Sequence, residues 1–186
     1  EEQGGIVLST LMTGWVDVSD LVFSGGFPGP LRPIAGVWAE ELDPLWKGQT
    51  NRAVAVAGNA LGLLGEWKID SFCELVHAED GSEVLATYGD DWYAGRPVLT
   101  RHRVGKGWVY YLAAKVEQAM LDNLLAALAK QAGLESAWPT ALPAGVNAQR
   151  RSDGKTDHLF LMNFNRHEAT GLPPYGCRVE RRPAKG

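Results

Sequence analysis

Residues 23–32, Phe23-Ser24-Gly25-Gly26-Phe27-Pro28-Gly29-Pro30-Leu31-Arg32, constrain this chain more than any other stretch. Two glycines free the backbone, two prolines then fix φ, and Phe27 and Leu31 offer apolar anchors to a core. Such a segment must follow one particular path. It carries no nucleophile with a base beside it, no acid–base pair and no metal ligand, so its expected job is shape.

At 186 residues the chain can bury one good core, or one domain with a small appendage. A net charge of -4, with 22% charged residues, argues against nucleic acid or an anionic membrane as the main partner. No apolar run approaches the roughly 20 residues that span a bilayer. The start Glu1-Glu2-Gln3-Gly4-Gly5 lacks the basic end and apolar stretch of a signal peptide. The expectation is a cytoplasmic protein in which Cys73 and Cys177, far apart in sequence, are free thiols. Seven tryptophans suit either carbohydrate contacts or subunit interfaces, because a large ring buries much area at little entropic cost.

Ile6-Val7-Leu8-Ser9-Thr10-Leu11-Met12 is a nearly continuous apolar run and predicts a strand buried on both faces of a parallel sheet. Such a strand needs neighbours, and none precedes it, so the chain is expected to start inside a fold. Pro28 to Ala35 predicts a short turn or helix, and the segment from Val37 ends at Pro44. A weak strand with a loop is expected over Arg52 to Leu64, and strands over Glu66 to Leu75 and Glu83 to Tyr88. Pro97 to Arg103 and Trp108 to Ala113 form a hairpin whose turn, Gly105-Lys106-Gly107, supplies positive φ values. A helix follows over Glu117 to Ala132, with Leu121, Leu124, Leu125 and Leu128 as its buried stripe. Gly133 caps it and Leu134 folds back on its last turn. Glu135 to Pro143 reads as a connector. Strands over Val146 to Arg151, His158 to Phe164 and Pro173 to Glu180 complete a small piece that buries little area and is expected to dock on something else.

The chain has no nucleophile elbow, P-loop, dinucleotide fingerprint or C-x-x-C, and the glycines at 25–29 lack the Lys-Ser/Thr that would hold a phosphate. His77, His102, His158 and His167 lie on separate elements with no close ligand pair, so no metal is expected. Nor is any cofactor. Cys73, with His77 four residues on, sits in a strand-like segment and reads as a buried thiol rather than a nucleophile. Glycosidases work with two carboxyl groups, so acidic pairs matter. Glu40 and Glu41 point to opposite faces of a strand and cannot flank one bond. Asp90-Asp91-Trp92-Tyr93 sets carboxylates beside aromatic platforms at a turn and offers an interface turn or a sugar contact.

Taken together, Gly4 to Leu8, Gly14-Trp15-Val16-Asp17, Asp20-Leu21-Val22 and Gly25 to Arg32 resemble the middle domain of family-42 β-galactosidases. The likeness continues through Gly36 to Glu41, Glu83 to Pro97 and Gly105 to Leu112. The resemblance implies an α/β layer like class I glutamine amidotransferases (flavodoxin-like), N-terminally incomplete here, without their active site and mediating trimer formation. It implies that residues 1–134 are this partial trimerisation domain, 135–143 a linker, and 144–186 a small antiparallel β domain shortened between Phe164 and Leu172. The catalytic barrel of that family, with its two glutamates, has no counterpart in this sequence, so no catalytic residue carries over. The implied partners are further copies of the chain and the missing barrel. In this reading Gly25, Gly26, Phe27, Pro28, Gly29, Pro30, Leu31 and Arg32 shape a loop, and Phe27, Leu31 and Arg32 meet a neighbouring surface. The rival reading is a stand-alone sugar-binding module using Trp92, Tyr93 and Trp108.

Overall fold

The computed structural model describes residues 4–184; the Glu1–Gln3 part of the start read above lies outside the described residues. The chain divides into two compact units, Glu1–Gly133 and Leu134–Gly186.

The larger unit runs β1 (Ile6–Thr10), a 3-10 turn (Gly29–Leu31), α1 (Arg32–Ala35), β2 (Val37–Pro44), β3 (Asn51–Ala55), β4 (Glu66–Ala78), β5 (Ser82–Tyr88), β6 (Pro97–Val104), β7 (Gly107–Leu112), β8 (Ala114–Val116) and α2 (Gln118–Gln131). Its strands form one mixed sheet in the order β1-β7-β6-β5-β3-β4-β2, with β8 paired to β4. Only β1 and β7 run parallel; the other pairings are antiparallel.

Alternation along the central strands gives the sheet two apolar faces, because successive side chains point to opposite sides. Leu75, Tyr110 and Leu112 join the main core with Trp67, Ile69, Leu85, Tyr88 and Leu99, and α2 covers that face with Met120, Leu124 and Leu128. Their neighbours Val76, Tyr111 and Ala113 face the other way, into a second cluster with Ala35, Val37 and Ala39, against which Phe27 packs. The Gly/Pro run therefore helps to cover the face of the sheet that α2 does not.

Several sequence expectations need correction. The strand at Ile6 exists and pairs in parallel, but it is an edge strand with Val7 41% exposed. Burial on both faces belongs to β7, which has neighbours on both sides and buries Tyr110, Tyr111 and Leu112. In the β6–β7 hairpin Gly105 alone takes the positive φ, +58°, while Gly107 begins β7. The helix stripe is Met120, Leu124 and Leu128, with Leu121 half-buried against the same core as expected; Leu125 is 52% exposed, because it falls on the flank of the apolar face. Gly133 does cap α2, at φ +65° with its N–H on the Lys130 carbonyl, yet Leu134 is 70% exposed and does not fold back.

The smaller unit is a three-stranded antiparallel sheet, β11-β10-β9, of β9 (Val146–Ser152), β10 (Thr156–Asn163) and β11 (Cys177–Pro183). The last strand thus starts later than Pro173, because residues 173–176 turn before it. Val146, Leu161 and Leu172 are its buried core, with Trp138 and Leu142 against them. Buried Asn163 holds the loop before β11, its amide donating to the carbonyls of His167, Leu172 and Pro173.

Candidate functional site

The run at residues 23–32 is held from below by a buried carboxyl that the sequence reading did not single out. Glu74 sits inside the apolar stretch Cys73-Glu74-Leu75-Val76 of β4 and is fully buried. Its Oε1 accepts the indole N–H of Trp15 at 2.9 Å and the backbone N–H of Met12 at 3.3 Å. Its Oε2 accepts the hydroxyl of Tyr111 at 2.7 Å. Among the described residues no cation pairs with it. Burial pushes its pKa up from the ordinary 4.5, and the donors from Tyr111, Trp15 and Met12 oppose that shift. A lone carboxylate in an apolar strand was the available signal, since a buried charge needs dedicated donors.

Trp15, fixed by Glu74, stacks on Phe27 with ring centroids 4.3 Å apart and planes 15° from parallel. Phe27 also exchanges backbone hydrogen bonds with Ala39 of β2, and its bond to Pro28 is cis. The glycines then have clear work. Gly26, at φ +98°, lies so close to Trp38 that a Cβ would stand 1.8 Å from the indole nitrogen. Gly29, at φ +54°, would bring a Cβ to 2.5 Å from the Phe23 ring. Beyond the run Arg32 is paired with Glu79 and lies over Trp38, which stacks on His77. Phe27 and Arg32 thus spend much of their chemistry inside this chain. Leu31 is half-buried, and Ser24, Gly25 and Pro30 are exposed.

The segment leading into the run is different in character. Val16 bridges Val22 in antiparallel fashion, and Asp17 Oδ1 accepts the N–H groups of Ser19 and Leu21 to close the turn between them. Met12, Val16, Val18, Leu21 and Val22 are all exposed on this small, ordered turn.

The acidic–aromatic turn is held by contacts within the chain. Asp90 is bidentate to Arg52 at 2.9 Å on each oxygen, and that guanidinium draws its pKa below the usual carboxylate range. Asp91, at φ +70°, accepts the N–H of Trp92. Tyr93 is buried and donates its hydroxyl to Asp43 at 2.7 Å. Of the turn's two rings Trp92 is the exposed one, with Arg96 at 5.1 Å over it. Trp108 is on β7, paired with Arg103 near the far end of β6 and covered by Arg101 at 4.1 Å. Arg96 and Arg103 are separated by about 20 Å of extended chain. Trp92 and Tyr93 meet edge to face, ring centroids 5.4 Å apart, and Trp108 lies away from them on β7.

The remaining candidates behave as structural groups. Cys73 is buried, and burial pushes its thiol up to about 11, the opposite of an activated nucleophile. His77 is engaged by Glu40 at 2.8 Å, which also accepts Arg96. Cys177 is exposed and unpaired. Among the described residues no group of three His, Cys, Asp or Glu could hold a metal, and no helix is long and apolar enough to cross a membrane.

A family model described as the β-galactosidase trimerisation domain matches residues 1–135. β-Galactosidase BglY of Alicyclobacillus acidocaldarius is 43% identical over 205 aligned positions, covering 99% of this chain and 30% of that protein. β-Galactosidase Pbg of Clostridium perfringens is 40% identical, covering 97% of this chain and 29% of its own length. The crystal structure of a β-galactosidase from Rahnella sp. R3 superposes with a TM-score of 0.90 at 42% identity, covering 98% of this chain and 29% of that one. The chain thus spans about 30% of the length of the curated relatives it matches. It belongs to the β-galactosidase trimerisation-domain family.

Proposed function

We propose that this chain is the oligomerisation portion of a β-galactosidase and contributes assembly rather than bond cleavage. The observation that carries this is the trimerisation-domain match over residues 1–135, in a chain that spans only about 30% of its relatives. The whole enzyme hydrolyses terminal, non-reducing β-D-galactosides in carbohydrate metabolism, with its acid/base and nucleophile glutamates in a barrel outside this sequence. Its partners are further copies of itself, as a homotrimer, and that barrel.

Residues 1–134 form the assembly layer, 135–143 the linker and 144–186 the reduced β domain. The compact-unit boundary after Gly133 supports this division. The complete layer is amidotransferase-like and flavodoxin-like, a reading supported by the parallel β1–β7 pair and by apolar cover on both faces of the sheet. The protein is cytoplasmic, in keeping with its two unpaired cysteines. Gly25 to Arg32 act as a spacer of fixed shape that sets the height of the preceding turn above the sheet.

The experiment is a pair of measurements on the purified 186-residue chain. Sedimentation should reveal concentration-dependent self-association, and a chromogenic galactoside should not be hydrolysed. A monomer at every concentration, or hydrolysis lost on replacing Asp90 and Asp91, overturns the reading.

A further inference from the structure

We infer that the apolar turn over residues 12–22 is the surface through which one copy of this chain grips the next, an assignment that rests on the self-association proposed above. Three observations lead there. First, exposed apolar side chains are concentrated on this turn: Val18 stands fully in solvent, Leu21 is 66% exposed and Val22 59%, with Val16 and Met12 beside them. Single exposed apolar residues are ordinary, but a contiguous group marks a contact surface.

Second, the turn is held rather than loose. The Asp17 carboxylate closes its tip through Ser19 and Leu21, and the Val16–Val22 bridge joins its two arms. At its base, Met12 N–H and the Trp15 indole are both bonded to buried Glu74. A surface ordered before contact loses less freedom on binding, so its burial converts more fully into affinity. Without a partner, this much internal bonding would serve only to hold five apolar side chains in water.

Third, the occupant follows from the matched family. The turn lies inside residues 1–135, where the chain matches a domain described by its role in trimerisation. A closed ring of three copies uses heterologous contacts, in which a patch on one copy meets a different patch on the next. The turn suits the projecting half of such a contact. Its charges are only Asp17 and Asp20, and Asp17 is spent on its own backbone.

The test replaces Val18→Asp and Leu21→Asp together in the 186-residue chain and follows self-association by sedimentation velocity across a concentration series. Both side chains are exposed, so far-UV circular dichroism and thermal midpoint should match the wild type. Val18→Ser with Leu21→Ser provides a milder pair should the charged one misfold. The expected result is self-association at least about 10-fold weaker in either variant. Wild-type association that survives both pairs unchanged overturns the assignment and leaves the assembly reading standing, with the turn then covered by another part of the longer enzyme. A wild-type chain that stays monomeric removes the assembly reading, and this assignment with it.

Discussion

Replacing Glu74 by Ala and by Gln should separate its hydrogen-bonding role from its charge. Alanine leaves the Tyr111 hydroxyl, buried and with Glu74 as its sole partner among the described residues, without an acceptor. That loss costs about 1–3 kcal/mol, and the half-buried Trp15 indole N–H adds about 1 kcal/mol. The one lost methylene adds about 0.8 kcal/mol. The sum for Glu74→Ala is about 4 kcal/mol, near a third of the stability of an ordinary domain. Glutamine behaves differently. Its Oε1 still accepts Trp15 and Met12, and its amide can donate to a turned Tyr111 hydroxyl, so the change stays within about 1 kcal/mol. Urea unfolding followed by tryptophan fluorescence reads both. With a slope of about 2 kcal/mol/M, Ala should lower the midpoint by about 2 M, and Gln should barely move it.

The same pair carries a pH signature. Glu74 has a folded-state pKa above its ordinary 4.5, so the folded chain binds more protons through that window than the unfolded one. Its contribution to stability therefore falls as pH rises from about 4.5 and levels off above the folded-state pKa. The stability difference between wild type and Glu74→Gln should shrink over that range in favour of Gln. An alanine variant within about 1 kcal/mol of wild type, or a flat difference with pH, refutes the view that this carboxyl ties the loop to the sheet.

Further outcomes follow from other contacts. Gly26→Ala should destabilise by more than about 2 kcal/mol, since φ is +98° and the new Cβ collides with Trp38. Gly25→Ala, at φ +94° but with open space around it, should cost only about 1 kcal/mol; equal losses would contradict the packing account. Mild alkylation should label Cys177 in the native chain and Cys73 only after unfolding, as mass spectrometry would show. Arg52→Gln should raise the Asp90 carboxyl titration, followed by carbon NMR, back toward the usual range. An unmoved titration would mean that the bidentate contact is absent in solution.

Local pattern made much of the larger unit legible. The β6–β7 hairpin, the strands at β4 and β5, and α2 with its Gly133 cap follow from alternation, 3.6-residue spacing and turn chemistry. What local pattern could not supply was neighbourhood. Ile6 to Thr10 reads as a strand buried on both faces, yet whether an apolar strand lies inside a sheet or at its edge is decided by partners remote in sequence. Pairing of β8 with β4 was missed for the same reason, being three residues long and non-local.

The site was legible in part. The demand for one fixed path over residues 23–32 was evident from Gly and Pro, and Trp38 and Phe23 give that demand its steric content. The anchor beneath it was hidden, because Glu74 and Trp15 are 59 positions apart and meet only in the fold. Trp92, Tyr93 and Trp108 looked alike as aromatic residues, but burial and pairing give each a separate task.

Assembly is the central claim, and sedimentation equilibrium of the wild-type chain over a wide concentration range tests it most directly. The account predicts a mass that climbs from the 20.2 kDa monomer toward three times that value as concentration rises. A mass fixed at the monomer across the whole range would contradict it.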